Sequence, residues 1–173
     1  MLMLLAFLVC PFFQKAWVET IDPDGGFRVM TPCEMQSHVQ PQSTVLGALM
    51  YHTWWCQGEE DDPNTLYMVS WCEYPPGSLD GDSLDIRSEL LQVTMEAATD
   101  NLRGTLMYAA DAELEGHPGK QWRIDYNDGQ AVMKSKAFFI GDRFLLIQVA
   151  ASRERHLNPE ADRFFDSLRL LDK

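Results

Sequence analysis

Residues 105–152 read TLMYAADAELEGHPGKQWRIDYNDGQAVMKSKAFFIGDRFLLIQVAAS, and this stretch decides the fold class. It is a set of apolar runs cut by turn signals. Gly116-His117-Pro118-Gly119, Asn127-Asp128-Gly129 and Gly141-Asp142 supply the residue types that tight chain reversals require. Residues 120–126 alternate with the period of a half-buried strand, Trp122, Ile124 and Tyr126 inward and Gln121, Arg123 and Asp125 outward. Residues 105–115 place Leu106, Tyr108, Ala110, Ala112 and Leu114 on one face, with Asp111, Glu113 and Glu115 on the other. Residues 144–147 are apolar on both faces, so the strand over 143–150 is expected at the centre of a sheet covered on both sides. Strands joined this closely can only run antiparallel, because a parallel return needs a crossover of a dozen residues or more.

Outward from this meander the pattern changes period. Asn158-Pro159 is a helix start, a capping side chain followed by a proline whose missing N–H costs nothing there. The helix over 159–168 buries Phe164, Phe165 and Leu168. Toward the N-terminus, residues 83–103 carry Ile86, Leu90, Val93 and Ala97 at helical spacing, widened by Leu91, Ala98 and Leu102. Asp82 is its expected N-cap, Asp85 sits near the positive end of the dipole, and Gly104 is its stop. Residues 45–56 and 65–74 are rich in aromatic and β-branched side chains and read as strands. Residues 17–21 and 27–31 read as short strands around the turn Asp22-Pro23-Asp24-Gly25-Gly26, with Phe27, Val29 and Thr31 on one face. Residues 36–43 are polar and contain Pro41, so they read as a loop. No βαβ alternation and no glycine-rich phosphate loop occur. The class is α+β, a mostly antiparallel sheet of about six to seven strands flanked by helices.

The 173 residues suffice for one domain, expected over 17–173 after an apolar segment at 1–16. That segment opens MLMLLAFLV, too short to span a bilayer and of the length of a secretory signal's apolar core. Phe7-Leu8-Val9-Cys10 also echoes a lipoprotein signal, with Cys10 as the lipid anchor. Both features point to an extracytoplasmic location. The net charge of −12, from 14 basic and 26 acidic residues, excludes the clustered positive charge that nucleic acids and anionic membranes demand. Of Cys10, Cys33, Cys56 and Cys72, no two show Cys-x-x-Cys spacing. Pairing residues 65–74 with 49–56 puts Cys72 too far along the hairpin from Cys56 for a disulfide, so buried free thiols are expected.

Three segments carry a family resemblance. Gly25-Gly26-Phe27-Arg28-Val29 followed by Pro32 resembles the opening of PsbP-like domains. Leu114-Glu115-Gly116-His117-Pro118-Gly119 resembles their central turn, and the run from Asn158 to Leu170 is similar to their C-terminal helix with its aromatic-Asp-Ser-hydrophobic ending. The resemblance implies an antiparallel sheet sandwiched between helices. Members include the extrinsic PsbP subunit of the oxygen-evolving photosystem, a Ran-binding nuclear import factor and exported bacterial proteins. They act mostly in binding or assembly and share no catalytic residue. This chain departs from the plant subunit in its strong acidity and in lacking a transit peptide, so photosystem binding does not transfer with the fold.

The residues that stand out for function are acidic. Residues 57–85 contain Glu59, Glu60, Asp61, Asp62, Glu73, Asp80, Asp82 and Asp85 and no lysine or arginine. Glu59, Glu60, Asp61, Asp62, Asp80 and Asp82 are the expected docking face for a basic protein partner. Asp22–Gly26 and residues 80–85 resemble fragments of calcium loops, yet neither completes the oxygen set that a hard cation needs. His38, His52, His117 and His156 are scattered, no nucleophile elbow occurs, and no cofactor motif is present. Trp54 and Trp55, adjacent on a strand, must face opposite sides, which makes one of them a candidate anchor for a partner. The expected function is that of a non-enzymatic exported binding or assembly domain. The alternative is a small-molecule or divalent-cation binder using a cleft between sheet and helices.

Overall fold

The computed structural model describes residues 16–44, 47–79 and 83–171. Residues 1–15 with Cys10, the expected signal or lipid-anchor segment, and Asp80 and Asp82, with the N-cap expected at Asp82, lie outside the described residues. In chain order the elements are β1 (Val18–Asp22), β2 (Phe27–Thr31), β3 (Gln36–Thr44), β4 (Gly47–Gln57), β5 (Asn64–Glu73), α1 (Ser83–Asn101), β6 (Thr105–Leu114), β7 (His117–Tyr126), β8 (Ala131–Ile140), β9 (Arg143–Ser152), α2 (Pro159–Ser167) and β10 (Arg169–Leu170).

Seven strands form one sheet in the order β3-β4-β5-β9-β8-β7-β6, and every pairing in it is antiparallel. β9 is the central strand, and its residues from Phe144 to Ala151 are all buried. The alternation of β9 divides the core. Phe144, Leu146 and Ala150 join Trp122, Ile124, Met133, Leu91 and Met95 under α1. Leu145, Ile147 and Val149 join Phe27, Val29, Tyr67, Val69, Phe164 and Leu168 on the side of α2. A three-stranded sheet, β1-β2-β10, is laid over this second face. The two-residue β10 returns from the end of the chain to pair with β2 at Arg28 and Phe27. Its pairing is too short and too distant in sequence to leave a pattern.

The meander follows its sequence to within a residue, with local departures. β6 carries a bulge between Leu106 and Tyr108, so Leu106 falls on the face opposite Tyr108, Ala110, Ala112 and Leu114. Asp125, expected outside, is buried, where Arg123 at 2.6 Å and Arg153 at 2.8 Å hold its carboxylate. α1 turns a different face inward from the one its most regular stripe suggests. Leu91 and Met95 are buried while Val93 is 52% exposed, because the helix is apolar on two sides and only one meets β7. The helix ends on Arg103 in the left-handed region (φ 48°) and not on Gly104. Gly104 is needed for a different reason: a Cβ there would lie 2.4 Å from Ile124 Cγ2 and 2.8 Å from the Asp125 carbonyl oxygen.

Residues 36–44 are a strand, not a loop. β3 pairs with β4 from Gln36↔Trp55 to Thr44↔Gly47. That register brings Cys33, three residues before Gln36, alongside Cys56. The two form a disulfide with a Cα–Cα distance of 6.0 Å, closing a separation of 23 residues. The expectation of free thiols fails for this pair because it treated the segment between them as unpaired. In the chain-entropy picture the crosslink contributes about 3 kcal/mol. Cys72 is the free cysteine among the described residues, and burial pushes its thiol up to about 12.

Candidate functional site

The acidic run between β4 and β5 is a braced loop. The Gly58 N–H donates to the Thr65 carbonyl at 3.3 Å and the Asp62 N–H to the Glu59 carbonyl at 3.0 Å. Gly58 admits no side chain, since a Cβ would lie 1.9 Å from the Asn64 carbonyl oxygen. Asp62 turns inward: its Oδ1 accepts from the Asn64 N–H at 2.9 Å and from the Tyr67 hydroxyl at 2.7 Å. Tyr67 is fully buried, and burial holds its phenol well above the usual tyrosine range. Asn64, also buried, donates from Nδ2 to the Tyr67 oxygen at 2.8 Å and to Asn158 Oδ1 at 3.1 Å, and Asn158 Nδ2 donates back to Asn64 Oδ1 at 2.9 Å. The same Asn158 caps α2 by accepting from the Ala161 N–H at 2.8 Å. Arg155 donates to the Asp61 carbonyl at 2.7 Å.

This network ties the loop's backbone to the start of α2. It leaves Glu59, Glu60 and Asp61 exposed as consecutive carboxylates on a fixed frame. Of the residues expected from sequence, the structure brings Glu59, Glu60 and Asp61 together on the surface and assigns Asp62 to the brace. The bracing partners Tyr67, Arg155 and Asn158 carry no signal in sequence that links them to the loop.

The other candidate ligand sites resolve differently. Asp22 is 6% exposed, and its carboxylate is turned into the protein. Oδ1 accepts from the Gly25 N–H at 2.9 Å, and Oδ2 accepts from the indole N–H groups of Trp54 at 2.7 Å and Trp71 at 2.8 Å. The residues that resemble a calcium loop are a structural clasp between β1 and the large sheet. Among the described residues, no group of three or more His, Cys, Asp or Glu side chains is placed to hold a metal ion. Trp54 is committed to this clasp, and Trp55, on the opposite face, is half-buried. His52 stacks on Trp71 with centroids 3.8 Å apart, on the face opposite Cys72, so these two do not form a nucleophile–base pair.

A cleft of about 180 Å³ lies between α2 and the strands β7 and β8, lined by Tyr108, Gln121, Lys134, Lys136, Asp162 and Asp166 among others. Desolvation by burial lowers the Lys134 pKa, against the opposing pull of Asp162. The Lys134 Nζ donates to the His156 carbonyl at 2.8 Å. Lysines beside aspartates suit an ion of mixed charge better than a divalent cation, which needs oxygen ligands converging from several sides. Among the described residues no helix is long and apolar enough to cross a membrane.

No known family profile matches this chain, and no curated protein matches it in sequence. Among solved structures it is similar to the solution structure of cyanobacterial PsbP (CyanoP) from Synechocystis sp. PCC 6803, with a TM-score of 0.61, 11% identity, and coverage of 93% of this chain and 96% of that one. A protein of unknown function from Pseudomonas aeruginosa, PA94, matches with a TM-score of 0.48 and 10% identity over 91% of this chain and 97% of its own. The segments around Gly25, Gly116 and Asn158 fall on the turn into β2, the β6–β7 reversal and α2. The chain adopts the PsbP-like fold, one antiparallel sheet held between α1 on one face and α2 with a small sheet on the other.

Proposed function

We propose that this chain is a non-enzymatic, exported binding domain that docks a basic protein partner on Glu59, Glu60 and Asp61, with Asp80 and Asp82 as further candidate contacts on the strength of the sequence alone. The observation that carries the reading is the brace beneath the loop. Carboxylates on a frame already fixed by Asp62, Asn64, Tyr67, Arg155 and Asn158 lose little further freedom on binding, which favours affinity. A net charge of −12 steers a basic partner from a distance, and added salt weakens that steering. Export is supported by the apolar leader in the sequence and by the Cys33–Cys56 disulfide, a bond that persists in oxidising compartments.

The test is affinity purification of the tagged protein from its native envelope fraction, with E59K/E60K/D61K and D80K/D82K beside the wild type. The triple reversal leaves Asp62, Asn64, Tyr67, Arg155 and Asn158 unchanged, and circular dichroism with thermal melting checks that the variant folds. It should lose the co-purifying partner, and the double reversal should weaken it. Unchanged retention by the triple variant removes the acidic loop as the docking site.

A further inference from the structure

The seven-stranded sheet ends on two edges that are built differently. β3 carries Pro41, which has no N–H to offer, within a run that is polar apart from Val39. β6 is ten residues long, contains no proline, lysine or arginine, and exposes Leu106, Met107 and Tyr108 at 37%, 50% and 46%. Among the described strands it pairs with β7 alone. Natural sheets blunt an edge of this length with proline, lysine, bulges or a covering element, because its free backbone groups are a template for another strand. The bulge at Met107 protects one end only, and residues 108–114 run in regular register.

The register shows which backbone groups face out. Glu115 and Gly116 both have positive φ, 49° and 85°, the two-residue reversal in which the flanking Leu114 and His117 exchange both hydrogen bonds. Alternation from that pair puts Ala112, Ala110 and Tyr108 in hydrogen-bonded pairs with Gly119, Gln121 and Arg123. The N–H and C=O groups of Glu113, Asp111 and Ala109 then point away from the sheet. Pro118 agrees with this phase, since it stands opposite Glu113, where no donor toward β6 is required. The side chains of Asp111 and Glu113 share one face. Lys120 meets the Asp111 carboxylate at 2.9 Å yet leaves that side chain 90% exposed. Tyr108, Ala110 and Ala112 share the other face.

We propose that β6 is a docking edge that accepts an extended segment of another protein as an eighth strand, and that this segment alternates basic with apolar residues. Main-chain bonds to Ala109, Asp111 and Glu113 hold it, basic side chains lie over Asp111 and Glu113, and apolar ones over Tyr108 and Ala110. A second copy of this chain fits poorly. Antiparallel self-pairing of β6 brings the Asp111 and Glu113 carboxylates of both copies onto one face, between chains that each carry −12. The inference stands apart from the acidic loop, which lies between β4 and β5.

The test uses a fluorescent peptide of alternating valine and lysine, roughly the length of an ordinary strand or somewhat longer. A control peptide carries N-methyl groups on every second amide. Anisotropy should show the first peptide binding the full chain, with the N-methylated peptide about tenfold weaker or worse, a loss of main-chain bonding at constant charge. Ala109→Pro removes one outward donor without changing charge and should weaken binding similarly. E59K/E60K/D61K should retain most of the binding, and amide exchange should slow in residues 105–114. Equal affinity for the two peptides overturns the proposal, and so does slowed exchange confined to the acidic loop. A concentration-dependent dimer abolished by Ala109→Pro also overturns it, by assigning the edge to a second copy. The peptide comparison decides the matter even if Ala109→Pro fails to fold.

Discussion

The two helices of this molecule are anchored in inverse proportion to their length. α2 has nine residues and buries Ala161, Phe164 and Phe165, with Leu168 beyond its end. Its N-cap is Asn158, and Ser167 reaches over to β2, accepting from the Met30 N–H at 3.0 Å. α1 has nineteen residues and, among its described side chains, buries Leu91 and Met95, with Val93 exposed beside a groove lined by Tyr51, Leu90, Ala97 and Phe144. Its threonines Thr94 and Thr99 spend their hydroxyls on its own carbonyls at Leu90 and Met95, at 2.8 Å each. The difference teaches where rigidity is concentrated. The face under α2 holds the small sheet, the disulfide and the brace of the acidic loop in one connected body, while α1 covers its face by apolar contact and a hydrogen bond from Arg87 to the Gly141 carbonyl at 3.3 Å.

The comparison breaks most visibly at Phe164. This side chain is fully buried and meets Tyr67 edge-on at 5.1 Å, so Phe164→Ala opens a cavity beneath the residue that braces Asp62. The expected loss is about 3–5 kcal/mol in denaturant unfolding, with faster amide exchange in residues 58–63. Leu91→Ala, in α1, should cost about 2–3 kcal/mol and leave exchange in that loop unchanged. Equal loosening of the loop by both variants would show that the two faces are one cooperative unit and that the contrast is of packing density alone.

Much of this architecture was legible in sequence, and the rest was hidden for physical reasons. The double-faced apolar run at 144–147 marked the central strand because only a strand covered on both sides escapes alternation. Asn158-Pro159 marked α2 because capping chemistry is local. β3 was not legible: it is an edge strand held by backbone pairing to β4, and its polar side chains and Pro41 show no period. Missing it also hid the Cys33–Cys56 bond, whose ends only that pairing brings together. The acidic residues of the candidate site were visible as charge. The distinction between Asp62, which turns inward, and Glu59, Glu60 and Asp61, which do not, depends on Tyr67 and Asn158, and no local pattern reports a contact across the fold.

Asn158 sharpens the comparison at a smaller energy. Its side chain caps α2 and exchanges hydrogen bonds with buried Asn64, so Asn158→Ala removes a cap worth about 1 kcal/mol and strands a buried amide worth a further 1–2 kcal/mol. Asn158→Asp keeps the cap and sacrifices the two donations of the amide, to Asn64 Oδ1 and to the Arg155 carbonyl. The aspartate variant should therefore recover part of the stability while the loop stays loosened, as read by amide exchange at residues 58–63. Full recovery of both would assign the brace to the cap alone.

The smallest effect tests the α1 face through its buried thiol. Cys72 has a folded-state pKa raised by burial from 9.0 to about 12, so above pH 9 the unfolded chain ionises while the native one does not. The native state then binds more protons than the unfolded state, and stability present below pH 9 is lost as pH rises toward 12. Between pH 9 and 10 Cys72 contributes about 1 kcal/mol to this loss, and the buried tyrosines Tyr51, Tyr67, Tyr74 and Tyr126, shifted upward by the same desolvation, add to it in the same direction. Cys72→Ala should reduce the slope of this part of the stability–pH curve by about the Cys72 share and leave the curve below pH 8 parallel to the wild type. A slope unchanged by the substitution would mean that α1 opens readily enough to hydrate the thiol in the native state. The looser of the two faces would then be a dynamic one, exchanging with solvent around a sheet that α2 keeps fixed.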